Sequence, residues 1–163
     1  MTEVRKTFLT KKALTATYIY LFLLLLSSLI SIYFFLKTLS ASNEIVPLHL
    51  CLLGSILCAI SGCSIYYTRK LYKDSMSGQL EIISDIDVKV VSTIAYYFFR
   101  PFFSAAFAVF IVLILKAENK FVSPSGDIDS YNFSFVSMTI SFMCGFSSGK
   151  FIQLLEQKGI PIK

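Results

Sequence analysis

The chain has 163 residues, of which 55% are hydrophobic and only 15% are charged. Soluble domains contain about 45–50% apolar and about 25% charged residues, and a small domain leaves much of its surface in water. The composition therefore excludes an ordinary soluble domain and predicts an integral membrane protein. The net charge of +5 does not indicate nucleic-acid binding, because Lys and Arg form thin groups at the ends of apolar segments rather than one basic face.

Four apolar segments follow one another, and each is long enough for a helix that crosses a bilayer, which takes about 20 residues. We predict spans at about 14–36, 45–67, 95–116 and 133–155. None of them alternates in polarity as a strand of a membrane barrel would. The sequence thus predicts an all-α fold, with a single transmembrane domain over 1–163 and a largest soluble piece at 68–94.

Basic residues are distributed unequally between the two sides of these spans. Twelve of the 15 Lys and Arg residues fall in the N-terminal tail, in and just beyond the loop 68–94, or at the C-terminal end. Short loops rich in Lys and Arg stay in the cytoplasm. We therefore expect both termini in the cytoplasm, and we expect the bacterial inner membrane as the location.

Local signals subdivide the N-terminal tail and the first part of the loop. Phe8 and Leu9 stand among basic residues and predict a short interfacial turn. Residues 69–73 are expected to continue the second helix. Ser, Met and Gly at 75–78 are expected to end it.

The second part of the loop has two interpretations. Ser84 resembles a helix N-cap, and Asp85 and Asp87 would lie in the first turn, where the helix dipole favours acids. The alternation of apolar and charged residues over 85–90 also allows a strand. We favour a helix towards residue 99, because an isolated strand beside a membrane would have no partner.

The third span contains Arg100 followed by Pro101. The residue before Pro is disfavoured in a helix, and Pro suits the first helical turn. We therefore predict an elbow, with 90–99 along the inner surface and the spanning helix starting near Pro101. The alternative is one kinked helix with Arg100 deeper in the membrane. Arg100 then would bind a lipid phosphate or act as a gating pivot, since charge inside a span is usually functional.

Lys150, in the fourth span, follows a polar and small stretch at 147–149. We expect its side chain to reach the inner interface. The alternative interpretation is a cation that lines an anion path.

Small residues recur at intervals of four on two spans. They are Ser137, Ser141, Gly145 and Gly149 on the fourth span, and Gly54, Cys58 and Gly62 on the second. Small residues on one face let helix backbones approach closely in lipid. The pattern predicts either packing within one chain or a face that joins several copies.

Charged residues of both signs gather in the inner loop. They are Arg69, Lys70, Lys73, Asp74, Glu81, Asp85 and Asp87. The interpretations are a solvated surface or a docking site for a cytoplasmic protein.

Several function classes are disfavoured by what the spans contain. The cysteines at 51, 58, 63 and 144 form no C-x-x-C pair, which a thiol oxidase requires. The predicted spans hold no Asp or Glu, whereas small proton-coupled exporters depend on a buried carboxylate. His49 has no acidic neighbours, and no nucleotide-binding or hydrolase motif is present. We therefore predict no enzymatic activity, no cofactor and no metal.

Arg100 with Pro101, and Gly145 with Phe146, form a pattern found in bacterial membrane proteins of unknown role, over roughly the last 65 residues. In size and architecture the whole chain resembles the membrane subunit of the Kiwa anti-phage defence system, KwaA. This resemblance implies that the chain assembles with itself and holds a cytoplasmic nucleic-acid-binding partner, in defence against phage.

Taken together, these observations predict a non-enzymatic, oligomeric membrane subunit that senses or anchors and recruits or regulates a cytoplasmic partner. We expect lipid, further copies of the chain and a cytoplasmic protein as partners, without direct contact to nucleic acid. The alternative is a pore- or channel-forming effector of the holin or abortive-infection kind. A small transporter is less favoured, because its carboxylate is missing.

Overall fold

The computed structural model of the protein describes residues 7–41, 48–83, 87–122 and 130–157. The elements are β1 (Thr7–Leu9), α1 (Lys11–Ala41), α2 (Leu48–Met76), β2 (Leu80–Ile82), α3 (Val88–Val122) and α4 (Ser130–Gln157). Three helices, over Lys11–Leu39, Leu48–Met76 and Val88–Ala117, are long and apolar enough to cross a membrane. The predicted helical fold is confirmed, and these three helices support membrane insertion.

α1 is apolar on all sides, as expected of a helix whose surface faces lipid. Large side chains such as Phe22, Ile30 and Phe34 are exposed along it. Its hydroxyl groups bond back to the helix, and the Thr17 hydroxyl donates to the Ala13 carbonyl oxygen at 2.8 Å. Such bonds satisfy polar side chains where water is absent.

α2 is the central helix and packs against each of the other three. Towards α1, the hydroxyl oxygens of Ser61 and Ser28 lie 2.7 Å apart. Towards α3, the Ser104 hydroxyl donates to the Ala59 carbonyl oxygen at 2.9 Å. Hydroxyl bonds of this kind hold helices together inside a bilayer.

α4 runs parallel to α2, with Met138 beside Gly54 and Phe142 beside Gly62. A Cβ at Gly62 would overlap the carbonyl of Phe142, and a Cβ at Gly145 would overlap the carbonyl of Ala59. Glycine is therefore needed for the backbones to come this close. The contact is named the α2–α4 seam, and it consists of Gly54, Ala59 and Gly62 on α2 with Met138, Phe142 and Gly145 on α4.

The two strands join the start of α1 to the end of α2. β1 and β2 are parallel, and the Thr7 N–H donates to the Gln79 carbonyl oxygen at 2.9 Å. The Ile83 N–H donates to the Leu9 carbonyl oxygen at 3.2 Å. The part of the bundle that carries this strand pair is called the sheet end.

The strand pair corrects one prediction and adds an element that the sequence did not predict. Phe8 and Leu9 form no interfacial turn, because they belong to β1. The loop contains a strand at Leu80–Ile82, and the N-terminal tail supplies its partner. The helix favoured for the second part of the loop is confirmed from Val88 onwards.

The end of α2 agrees with the sequence. The helix continues through 69–73 and ends at Met76. Gly78 follows with φ of +69°, a conformation that glycine adopts without steric penalty. The Gln79 N–H donates to the Asp74 carbonyl oxygen at 3.2 Å, which is the long bond of a Schellman cap.

α3 begins later than predicted. Its first residue is Val88, whose N–H donates to the Asp87 carboxylate at 2.7 Å. The predicted cap Ser84 and its neighbour Asp85 lie outside the described residues. Asp87, which the sequence places in the first turn, thus lies just before α3, and its carboxylate accepts a hydrogen bond from the first N–H of the helix.

The predicted elbow at Arg100 and Pro101 is wrong, because α3 is one continuous helix with Pro101 inside it. Pro deprives the preceding turn of one backbone hydrogen bond. Beside that turn the Tyr20 hydroxyl of α1 donates to the Phe98 carbonyl oxygen at 3.2 Å. Packing within the bundle therefore outweighs the local preference, since both Arg100 and Pro101 are buried.

Candidate functional site

The sheet end is where the largest buried side chains of the described residues collect. Six residues of β1, α1, α2 and α3 form one core there: Leu9, Leu21, Cys63, Tyr67, Leu71 and Tyr97. The core joins the strand pair to the helices. Charged side chains placed around it are therefore held by rigid elements rather than by free loops.

Two pairs of consecutive tyrosines meet at this core. Tyr67 of α2 lies edge-on to Tyr96 and to Tyr97 of α3, with ring centroids 5.8 Å apart in each case. Tyr66 lies 5.1 Å from Tyr67 in the same edge-on arrangement. Edge-to-face packing at these distances is favourable. These four residues are called the tyrosine cluster.

Arg100 inserts its guanidinium into the tyrosine cluster. The Cζ atom lies 4.2 Å from the ring centroid of Tyr96 and 5.7 Å from that of Tyr67. Residues four apart lie on the same helix face, so α3 itself places Arg100 against Tyr96. A guanidinium over an aromatic face is attracted by the ring, and the attraction strengthens away from water.

The charge of Arg100 is nonetheless incompletely satisfied. The residue is only 8% exposed, and its Nη1 atom is buried without a hydrogen-bond partner among the residues that the structure describes. The hydroxyl of Tyr67 is also buried and has no hydrogen-bond partner of normal geometry among the described residues, although the side chain of Tyr96 lies nearby. Buried polar groups almost always have a partner, so these two atoms need an explanation.

Lys70 brings a second cation to Tyr96. Its Nζ atom lies 3.4 Å from the Tyr96 hydroxyl oxygen and 5.2 Å from the ring centroid. Over the described part of the chain, neither Lys70 nor Arg100 forms an ion pair with a carboxylate. Two positive charges therefore share one aromatic ring.

Asp74 has a structural role at the sheet end. It is 8% exposed, and one of its carboxylate oxygens accepts a hydrogen bond of 3.2 Å from the Thr7 hydroxyl. This bond fastens β1 to the last turn of α2. Asp74 was predicted as part of a docking loop, but it faces the inside of the fold.

The other members of that predicted loop occupy different environments. Arg69 and Lys73 are exposed on the last turns of α2, and Glu81 is exposed on β2. Asp87 bonds the first turn of α3, and Asp85 lies outside the described residues. The structure therefore leaves Arg69, Lys73, Glu81 and Asp87 as the exposed members of the predicted docking set, and the Asp87 carboxylate is already bonded to the Val88 N–H.

The ladder of small residues lies inside the chain. Ser137, Ser141 and Gly145 on α4 are buried, as are Gly54, Cys58 and Gly62 on α2. The glycines among them take part in the α2–α4 seam, which supports packing within one chain. Gly149 and Lys150 belong to α4, but their side-chain surroundings lie outside the described residues.

Neither a metal site nor a disulfide is found in the described ranges. Cys51, Cys58 and Cys63 are buried thiols on α2, and Cys144 on α4 is half-buried. His49 is exposed at the start of α2. No group of three or more His, Cys, Asp or Glu side chains in those ranges could hold a metal ion.

Sequence reasoning identified Arg100 but not its surroundings. The two Tyr-Tyr pairs, at 66–67 and 96–97, are visible in the sequence, yet nothing local shows that they meet. Comparison with models of protein families, with curated proteins and with solved structures finds no match to this chain. The arrangement at the sheet end is therefore interpreted from its own chemistry.

Proposed function

We propose that the protein is a non-enzymatic membrane subunit that recruits or regulates a cytoplasmic partner at its sheet end. The observation that carries the proposal is the folded platform formed by β1, β2 and the last turns of α2. The Asp74 carboxylate and the Thr7 hydroxyl hold this platform together. A chain that only had to cross the bilayer would not need such an element.

The exposed side chains of the platform fit a protein partner. Met76 and Ile82 of the platform are 72% and 51% exposed, and Val88 at the start of α3 is 76% exposed, so apolar groups face outward where the helices end. Arg69 and Lys73 are exposed on the preceding turns of α2. Apolar anchors beside exposed cations suit a partner with an acidic rim around an apolar centre.

The proposed topology has four spans, with α4 as the fourth and with both termini in the cytoplasm of a bacterial inner membrane. Two observations support it. α4 runs parallel to α2, as the fourth helix of an up-and-down bundle would. Twelve of the 15 Lys and Arg residues fall on the side that would be cytoplasmic.

Self-assembly and a role in anti-phage defence are further parts of this proposal, and they rest on the resemblance to the Kiwa membrane subunit. The described small residues of α2 and α4 pack against each other within one chain. An oligomer would therefore use other surfaces. The outward faces of α1 and α3 offer large apolar side chains such as Phe22, Phe34 and Phe110. Copies joined through these faces would leave each sheet end open to its partner.

The test is affinity purification of the full-length chain from a gentle detergent, followed by mass spectrometry. The wild type is compared with the double variant Arg69→Glu and Lys73→Glu. Lys37→Glu serves as the control, because Lys37 is an exposed cation near the other end of α1. We expect a soluble protein to co-purify with the wild type and with the control, and to be lost from the double variant.

A homo-oligomer without any soluble protein would contradict the proposal. Conductance of that oligomer in liposomes, together with toxicity on expression alone, would favour the pore-forming alternative. Equal retention of a soluble protein by all three chains would place the docking surface elsewhere.

A further inference from the structure

We infer that Arg100, Tyr67 and Lys70 form a binding site for a phosphate group where α2 and α3 meet at the sheet end. This inference does not depend on the function proposed above. It rests on unpaired donors, on an excess of positive charge and on the depth of the site along α3.

The unpaired atoms are both hydrogen-bond donors. Arg100 Nη1 and the Tyr67 hydroxyl are buried without a partner among the described residues. A guanidinium has donors only, and a phenol hydroxyl donates readily. The guanidinium lies 5.7 Å from the Tyr67 ring centroid, and we infer that one acceptor between α2 and α3 can be reached by both Nη1 and the Tyr67 hydroxyl. An uncharged acceptor would leave the buried charge uncompensated.

The charge of the site calls for an anion. Lys70 lies 3.4 Å from the Tyr96 hydroxyl oxygen, and Arg100 Cζ lies 4.2 Å from the centroid of the same ring. Asp74, the buried carboxylate on the same face of α2, keeps its negative charge while it accepts a hydrogen bond from Thr7, so Arg100, Lys70 and Asp74 together leave an excess of one positive charge. Arg and Lys together recognise phosphate well, since Arg offers a planar pair of donors and Lys adds a point charge.

The guanidinium of Arg100 lies near the level of a membrane interface. Arg100 and Lys116 are 16 residues apart on α3, which is about 24 Å along a helix. The hydrocarbon core of a bilayer is about 30 Å thick, so with the exposed Lys116 at one edge the Arg100 backbone lies about 6 Å inside the other. The guanidinium contacts Tyr96, about one helical turn nearer to that edge, where a headgroup phosphate can reach it. The tyrosine cluster at the same level fits the aromatic belt that membrane proteins place among headgroups.

The site reaches the surface of the bundle on one side. Tyr96 and Lys70 are half-buried, whereas Tyr67 and Arg100 are enclosed. A ligand therefore approaches past Tyr96 and Lys70, whose side chains can move without disturbing a backbone. A phosphatidic acid or phosphatidylglycerol headgroup arrives from the bilayer, and a soluble phosphate arrives from the water.

The experiment measures ligand binding to the purified full-length chain in a neutral detergent, by the shift in Tm and by native mass spectrometry. Dioleoylphosphatidic acid is compared with dioleoylglycerol, since the two lipids differ only in the phosphate. Inorganic phosphate is titrated separately. Stabilisation by phosphatidic acid alone identifies a lipid site. Stabilisation by inorganic phosphate as well identifies a site that also takes the soluble anion.

Four variants locate the binding. Arg100→Gln removes the buried cation, and Arg69→Gln removes an exposed cation from the same end. Tyr67→Phe removes only the buried hydroxyl of the site. Tyr33→Phe removes a tyrosine hydroxyl at an exposed position on α1 and is its control. We expect the apparent Kd for phosphatidic acid to rise about tenfold or more in Arg100→Gln and about three- to tenfold in Tyr67→Phe. The two controls should change it less than twofold.

Two outcomes overturn the inference. One is that phosphatidic acid and dioleoylglycerol act alike on the wild type while inorganic phosphate has no effect. The other is that Arg69→Gln weakens binding as much as Arg100→Gln, which would show unspecific attraction to the basic end. If Arg100→Gln fails to fold, then Tyr67→Phe against Tyr33→Phe decides, because both variants keep their rings.

Discussion

The α2–α4 seam and the sheet end both bury polar groups, yet they do so in opposite ways. In the seam, glycines bring two backbones together, and the polar side chains of the packed helices are small hydroxyls. At the sheet end, Tyr67 and Tyr96 of the tyrosine cluster contact a guanidinium, and a carboxylate anchors a strand.

This difference indicates that the seam serves helix packing, whereas the sheet end contains groups that can bind a ligand. A buried serine in a helix is small and uncharged and can bond to a carbonyl of its own helix, so it carries little information about function, even where its hydroxyl has no partner, as at Ser141. A buried arginine has no such local solution, because one guanidinium presents five donors. The sheet end is therefore the place to look for a ligand, and the seam is the place to look for stability.

The largest expected effect lies in the seam. Gly145→Leu would drive a side chain into the backbone of Ala59, where no flexible group can yield. We expect a loss of about 3 kcal/mol or more in the free energy of unfolding, at the upper end for overpacking. Thermal unfolding in detergent measures this loss. Met143→Leu, at an exposed position of the same helix, is the control. A Gly145→Leu chain with wild-type Tm but altered oligomeric state would instead make the seam an interface between copies.

A smaller effect is expected where the strand pair is fastened. Asp74→Ala leaves the Thr7 hydroxyl without its acceptor, and we expect a loss of about 1–2 kcal/mol. Hydrogen exchange should show faster exchange at the β1 amides, while the tyrosine cluster keeps its protection. Thr7→Val is the matched change on the other partner, and the double variant should cost little more than either single one. Additive losses would mean that the two residues act separately.

The turn after α2 gives a still smaller effect. Gly78 has φ of +69°, and a side chain there meets open space, so only the backbone conformation opposes substitution. We expect Gly78→Ala to cost about 1 kcal/mol. Chemical unfolding of the full chain measures it, and Gly78→Asn should cost less, because Asn tolerates the left-handed region. Equal losses for Ala and Asn would point to a contact rather than to the backbone.

The smallest effect is expected for a buried serine of α4, whose loss should change neither stability nor ligand binding. Ser141 is fully buried, and its hydroxyl has no partner among the described residues. We expect Ser141→Ala to change Tm by no more than about 2 °C, because it removes an unsatisfied group at nearly constant shape. Binding of phosphatidic acid should also stay unchanged. A clear loss of stability would reveal a partner for this hydroxyl, such as a bound water.

Local signals were enough to predict part of this fold. Long apolar segments predicted helices, and the composition of 75–78 predicted the end of α2. The strand pair could not be predicted in this way, because β1 and β2 have three residues each and lie 73 positions apart. The elbow at Pro101 was inferred from a backbone preference that packing against α2 overrides.

The candidate site could likewise be predicted only in part. The sequence indicates that Arg100 is a charge near a span, but the environment of its guanidinium depends on Tyr67, which is 33 residues away. Asp74 was grouped with exposed charges because the sequence does not reveal which side of α2 turns towards β1. Contacts between helices therefore decide both assignments, and these contacts carry no local signature.

The strand pair also bears on how the chain is made. At about 5–20 residues per second, β2 leaves the ribosome about 4–15 s after β1, since 73 positions separate them. During this interval the N-terminal strand has no partner. If α1 and α2 both cross a bilayer, then the two strands lie on the same side of it and can pair, whereas they cannot meet if only one of these helices has crossed. Pairing would then hold the first two helices in the inserted arrangement.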